Sequence, residues 1–136
     1  KVFQHLTHHR TPEDLWTRFF DPAPIPETID VIERLKKRFR VVAGTNTVTP
    51  HYEVHTQRED YAIFPKVYAS HLIHLAKPDP QFYTHILQAE AVSPVESVFI
   101  DDSIQNVESA LKLGIHAIHF TEGKALQEAL SPLLVY

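Results

Sequence analysis

Short apolar runs of strand type alternate with helical segments along most of this chain, and that alternation constrains its fold more than any other feature. The runs are Val41-Val42-Ala43-Gly44, Lys66 to Ala69, Ser97 to Ile100 and His116 to Phe120. Between them lie helical stretches: one near Pro50 to Arg58, one opening at Asp79-Pro80 with Phe82, Ile86 and Leu87 inward, and one from Ile104 to Leu113 closed by Gly114. A final helix is expected from about Glu122 to Leu134. Strand and helix at this spacing predict an α/β domain, a mostly parallel sheet with helices on both faces. The 136 residues are room for one such domain, and 43% hydrophobic with 22% charged residues suits a buried core.

Ahead of the first strand, Pro26 opens a helix whose Ile29, Ile32, Leu35 and Phe39 recur at three- to four-residue spacing and predict one apolar face. Its basic tail, Lys36, Lys37 and Arg38, is read as offsetting the negative end of the helix dipole rather than as a phosphate- or nucleic-acid-binding patch. Further upstream, Thr11-Pro12-Glu13-Asp14 starts another helix that carries Leu15, Trp16, Phe19 and Phe20. The proline-rich stretch from Asp21 to Pro26 stops it and is the expected boundary between a leading piece, 1–24, and the main body, 25–136.

Composition narrows the function classes. A formal net charge of −4 gives no electrostatic pull toward nucleic acid. No apolar run approaches the roughly 18 residues of a spanning helix, so no membrane partner is expected. The chain has no Cys, which excludes disulfides, thiolate metal sites and a Cys nucleophile and suits a cytoplasmic protein. It has no Met either and begins Lys1-Val2, so a fragment of a longer protein is expected.

In open α/β sheets, ligands bind beyond the carboxyl ends of the strands. The first strand brings Thr45 and Asn46 to that edge, the third brings Asp101 and Asp102, and Lys77-Pro78-Asp79 comes between them in sequence. Singly, these residues are ordinary turn formers, a loop lysine and helix caps. Together they describe a phosphate site. Adjacent carboxylates at the end of an apolar strand repel unless a hard divalent cation lies beside them, and Mg²⁺ favours one or two carboxylates with water completing its shell. A hydroxyl, an amide and an ammonium are the donors a transferring phosphoryl group needs. No glycine elbow or Ser/His/Asp constellation supplies a nucleophile, and the chain has only 3 Gly.

The order hydroxyl, lysine, acid pair resembles the haloacid dehalogenase-like hydrolase superfamily, in the branch of small-molecule phosphatases and phosphoglucomutase-like enzymes. Val41 to Asn46 looks like the second motif of that family, Lys77 to Tyr83 like the third, and Val98 to Ser103 with Asn106, Ala110 and Gly114-Ile115 like the fourth. The resemblance implies a Rossmann-like core in which Thr45 and Asn46 grip phosphate, Lys77 neutralises it, and Asp101 and Asp102 hold Mg²⁺. It implies a phosphatase acting on a small phosphorylated substrate through an aspartyl-phosphate. Asn106 stands where some relatives place another acid, and both Asn106 and His51, which comes shortly after Thr45, are candidate substrate-facing residues.

The family's first motif, Asp-x-Asp-x-Thr, is absent, since no Asp-x-Asp occurs anywhere in the sequence. It would supply the nucleophile and the central strand, so the strands ending at Thr45 and Ile100 are expected to be parallel but unpaired with one another. Residues 1–20 resemble the last helix of the cap that the family inserts between its first two motifs. A degenerate, non-catalytic binding module is the competing reading, and a 2-haloacid dehalogenase a further one, although such enzymes generally lack the acid pair. Receiver domains of two-component signalling use similar residues, but with the acid pair first. Among the 10 histidines, the pairs His5/His9 and His51/His55 have chelating spacing without any zinc signature around them. Neither the substrate nor the oligomeric state is legible.

Overall fold

A computed structural model of the chain describes residues 26–121 and 127–131. The expected leading helix, the proline-rich linker, the 1–24/25–136 boundary and the His5/His9 pair therefore lie at or outside the edge of the described residues. Helix α1 spans Pro26–Lys36, followed by strand β1 (Ala43–Thr45), helix α2 (Thr49–Gln57), strand β2 (Val67–Ala69) and a short helix α3 (Ser70–Ile73). Helix α4 (Pro80–Glu90), a 3₁₀ turn (Pro94–Glu96), strand β3 (Val98–Asp101), helix α5 (Ile104–Lys112) and strand β4 (His116–His119) complete the order. Residues 127–131 are helical, within the expected final helix.

Among the described residues all strand pairing is parallel. β1 pairs with β2 in the register Ala43↔Val67 to Thr45↔Ala69, and β3 pairs with β4 from Val98↔His116 to Asp101↔His119. Among the described residues the two ladders are separate, so β1 and β3 are not hydrogen-bonded to each other. The strands ending at Thr45 and Asp101 are thus unpaired with one another, as expected.

Helices cover both faces and tie the ladders together. On one face, Val31 and Leu35 of α1 form a core with Leu130, and Val41, Ile100, Ile118 and Phe120 pack against it. On the other, Phe82, Tyr83, Ala110 and Ile115 gather Phe99, Ala117, Ile86 and Leu87. Phe82 is completely buried, which contributes roughly 1.5 to 3 kcal/mol. A Cβ on Gly44 would stand 3.1 Å from the Phe82 ring and 3.3 Å from Ile86, so glycine here lets β1 approach α4 closely.

The expected apolar face of α1 is corrected. Its buried residues are Val31 and Leu35, whereas Ile29 is 39% and Phe39 42% exposed. An i, i+4 pair packs directly onto Leu130 and the sheet, and Phe39 falls beyond the last helical turn. At the amino ends of the first ladder, Arg40 and Tyr68 both donate to the Glu90 carboxylate, Tyr68 Oη at 2.6 Å, which fastens the end of α4 to the sheet.

Candidate active site

The carboxyl ends of β1 and β3 carry the site because apolar strands terminate there in polar residues. β1 ends at Thr45, and Asn46 follows with its side chain across the loop after α3. Asn46 Oδ1 accepts from the Lys77 backbone N–H at 2.9 Å, and Asn46 Nδ2 donates to the Lys77 carbonyl at 2.8 Å. This paired contact mimics one rung of a ladder, and it fixes the backbone of Lys77 against the end of β1.

Lys77 then reaches the other ladder. Its ammonium donates to Asp101 Oδ2 at 2.6 Å, with the two side chains only 10% and 7% exposed, and it stands 5.7 Å from the centre of the Phe99 ring. Asp101 Oδ1 accepts from the Ser103 N–H at 2.8 Å and from Asn106 Nδ2 at 3.0 Å. Burial alone would push the Asp101 carboxyl up, but the hydrogen bonds from Lys77, Ser103 and Asn106 together outweigh it and hold it below the usual carboxylate range. A carboxylate has about four acceptor sites, so Oδ2 keeps room for one more ligand.

Among the described residues, Asp102 differs from its neighbour in exposure and in having no side-chain partner. Its side chain is exposed and has no partner among the described residues, while its backbone carbonyl lies 2.9 Å from His119 Nε2. Exposed, hard oxygen donors of this kind suit Mg²⁺. Among the described residues no group of three or more His, Asp or Glu side chains forms a ready-made metal cage. Asp102 and the remaining site on Asp101 thus fit a Mg²⁺ ion that draws its other ligands from water, substrate or residues elsewhere.

The structure brings Thr45, Asn46, Lys77, Asp101, Asp102 and Asn106 to one edge, where Asn106 bonds Asp101. His51 lies on α2. His55 bonds Asp60 at 2.9 Å. The Thr45 side chain meets the Tyr61 phenol, which burial pushes above its ordinary pKa. Ser70 Oγ brackets the next residue but one, accepting from Thr47 N–H and donating to its carbonyl, both at 3.0 Å. Tyr61 and Ser70 carried no signal in the sequence, since each acts on a neighbour brought close only by the β1–β2 ladder. The structure has no described helix long and apolar enough to cross a membrane.

Parallel β–α units thus bring a largely buried lysine and a carboxylate pair together beyond the strand ends. The chain belongs to the haloacid dehalogenase-like hydrolase family, whose model matches residues 5–114. A sesquiterpene phosphatase of Aspergillus oryzae is 34% identical over 84 residues, 60% of this chain and 42% of that protein. D-ribitol-5-phosphate phosphatase of Bacteroides thetaiotaomicron is 24% identical over 140 residues, which cover 96% of this chain and 66% of that one. A solved haloacid dehalogenase family enzyme of Bacteroides thetaiotaomicron, a magnesium complex, superposes with a TM-score of 0.72 at 27% identity, over 85% of this chain and 61% of its own. The chain thus spans less than half the length of the sesquiterpene phosphatase.

Proposed function

We propose that this chain carries the phosphate-gripping and metal-holding part of a Mg²⁺-dependent phosphohydrolase that acts on a small phosphorylated metabolite through an aspartyl-phosphate, with the nucleophile supplied from outside these residues. The observation that carries the reading is the 2.6 Å contact between Lys77 and Asp101, which draws two separate sequence motifs into one charged edge beside Asp102. The phosphatase relatives and the magnesium complex of a family member support it.

In this reading the Thr45 hydroxyl and the remaining Nδ2 hydrogen of Asn46 donate to phosphate oxygens. Lys77 neutralises charge on the phosphate and on the attacking carboxylate, held in place by Asp101. Asp102, with Asp101 beside it, would hold Mg²⁺, which when bound withdraws negative charge from the phosphoryl oxygens. Asn106 orients Asp101, and His51 faces the substrate's leaving portion. The open edges of β1 and β3 receive the strand that carries the nucleophile.

A second reading is favoured by one fact, that no Asp-x-Asp occurs in the chain: the domain has lost catalysis and persists as a binding module. The gene sequence ahead of Lys1 separates the two. The phosphatase reading expects an Asp-x-Asp-x-Thr there, and expects the 136-residue chain alone to leave para-nitrophenyl phosphate unhydrolysed above background. Metal-dependent turnover by that chain, lost in Asp101→Asn, would overturn the external nucleophile.

A further inference from the structure

Two buried hydroxyls remain once the edge residues have their roles. Ser109, 9% exposed, lies on α5 one turn beyond Asn106, and its Oγ donates to the Pro78 carbonyl at 2.6 Å. Tyr83, 3% exposed, lies on α4, and its hydroxyl donates to the Asn106 backbone carbonyl at 2.8 Å. Neither of these bonds is to the Lys77 ammonium or the Asp101 carboxylate, although the Asp101 charge bears on the Tyr83 phenol, which the Ser109 hydroxyl also meets. Both bonds instead land on backbone next to a site residue: Pro78 directly follows Lys77, and Asn106 carries the amide that bonds Asp101 Oδ1.

A lysine head sits at the end of a flexible four-carbon stem, so it stays on one partner only while its backbone is held within reach of that partner. Asn46 anchors that backbone from the β1 side, and Ser109 does so from the α5 side. The same helix α5 presents Asn106 to Asp101, and Tyr83 pins the helix there. From this geometry we infer that Ser109 and Tyr83 are positioning residues, which clamp the Lys77–Pro78 turn and the start of α5 together and so keep the Lys77 ammonium on Asp101. The inference rests on the proposed phosphatase reading only for what the lysine does, not for how it is held.

Differential lysine acylation of the 136-residue chain by acetic anhydride, read by mass spectrometry, tests it. In the wild type Lys77 should react slowly and the exposed Lys112 quickly. Ser109→Ala should raise the Lys77 rate relative to Lys112 about tenfold, the change in an opening equilibrium expected from losing one buried hydrogen bond. Tyr83→Phe, which keeps the ring and loses only the oxygen, should raise it by less but in the same direction. Val107→Ala, also on α5 and buried, removes packing without touching either hydroxyl and should leave the ratio unchanged although it lowers the melting temperature. An unchanged ratio in Ser109→Ala and Tyr83→Phe, or an equal rise in Val107→Ala, would overturn the positioning role. Inorganic phosphate with Mg²⁺ should separately protect Lys77 in the wild type. Loss of that protection alone would count against the phosphate site and leave the clamp standing.

Discussion

Replacing Lys77 with methionine keeps most of the apolar stem and removes the charge, so it isolates the energetic role of the Lys77–Asp101 pair. With side chains 10% and 7% exposed, the pair belongs with buried ion pairs rather than with surface ones, which contribute about 0.2 to 1 kcal/mol. Removing one partner of a buried pair costs about 3 to 5 kcal/mol when the other is left uncompensated. Asp101 here retains the Ser103 N–H and the Asn106 amide, at 2.8 and 3.0 Å, so a smaller loss of about 2 to 3 kcal/mol is expected. Asp101→Asn should destabilise as well, because it strands the ammonium. The double variant, with no charge left to strand, should be less unstable than the two single losses together, by about 1.5 to 3 kcal/mol of coupling. Urea unfolding of the four proteins followed by circular dichroism measures this, and a slope of about 1 to 3 kcal/mol per molar turns a loss of about 2 to 3 kcal/mol into a midpoint shift of roughly 0.7 to 3 M. Additive losses, with coupling below about 0.5 kcal/mol, would refute the claim that the pair is buried and mutually compensating.

Two further outcomes follow from other parts of the fold. The hydrogen bond from Arg40, reinforced by Tyr68 and opposed by burial, holds the Glu90 carboxyl below its ordinary range; a depressed folded value means that the stabilisation is present above the unfolded pKa of about 4.3 and is lost as pH falls through the folded one. Glu90→Gln should therefore lower the melting temperature at neutral pH and flatten its fall in acid, and parallel melting curves for variant and wild type would contradict that. Magnesium should bind this chain weakly, since Asp102 is the exposed carboxylate and other ligands are expected from elsewhere; titration calorimetry should find that Asp102→Asn abolishes the residual heat, and tight binding indifferent to that change would remove Asp102 from the metal site.

The parts of the fold legible in the sequence are those fixed by local pattern. Each of the four strands lies within two residues of its expected place, because each is a short apolar run ending in polar or turn residues. Asp79 caps α4 as its Asp-Pro start suggests, accepting from the Gln81 N–H at 2.8 Å. The face of α1 was ambiguous for a physical reason: Ile29, Val31, Ile32 and Leu35 allow more than one apolar stripe, and the choice is made by Leu130, nearly a hundred residues away. The four-residue α3 is too short for any periodicity to announce it. In the site, residue types gave Thr45, Lys77 and the acid pair, but not the division of labour within the pair, which depends on burial. Ser109 left one clue, a polar residue three positions from Asn106 on the face that buries Val107 and Ala110. Its partner, the Pro78 carbonyl, is a backbone group that no side-chain pattern marks.

In the proposed function, Lys77 and the acid pair serve phosphoryl transfer to water. Phosphate release from para-nitrophenyl phosphate by the product of the complete gene, measured with and without Mg²⁺ for wild type and Lys77→Ala, tests it most directly. Metal-dependent release is expected in the wild type, falling by orders of magnitude in Lys77→Ala while the circular dichroism spectrum stays native. Release that ignores Mg²⁺, or that survives in a folded Lys77→Ala protein, would contradict it.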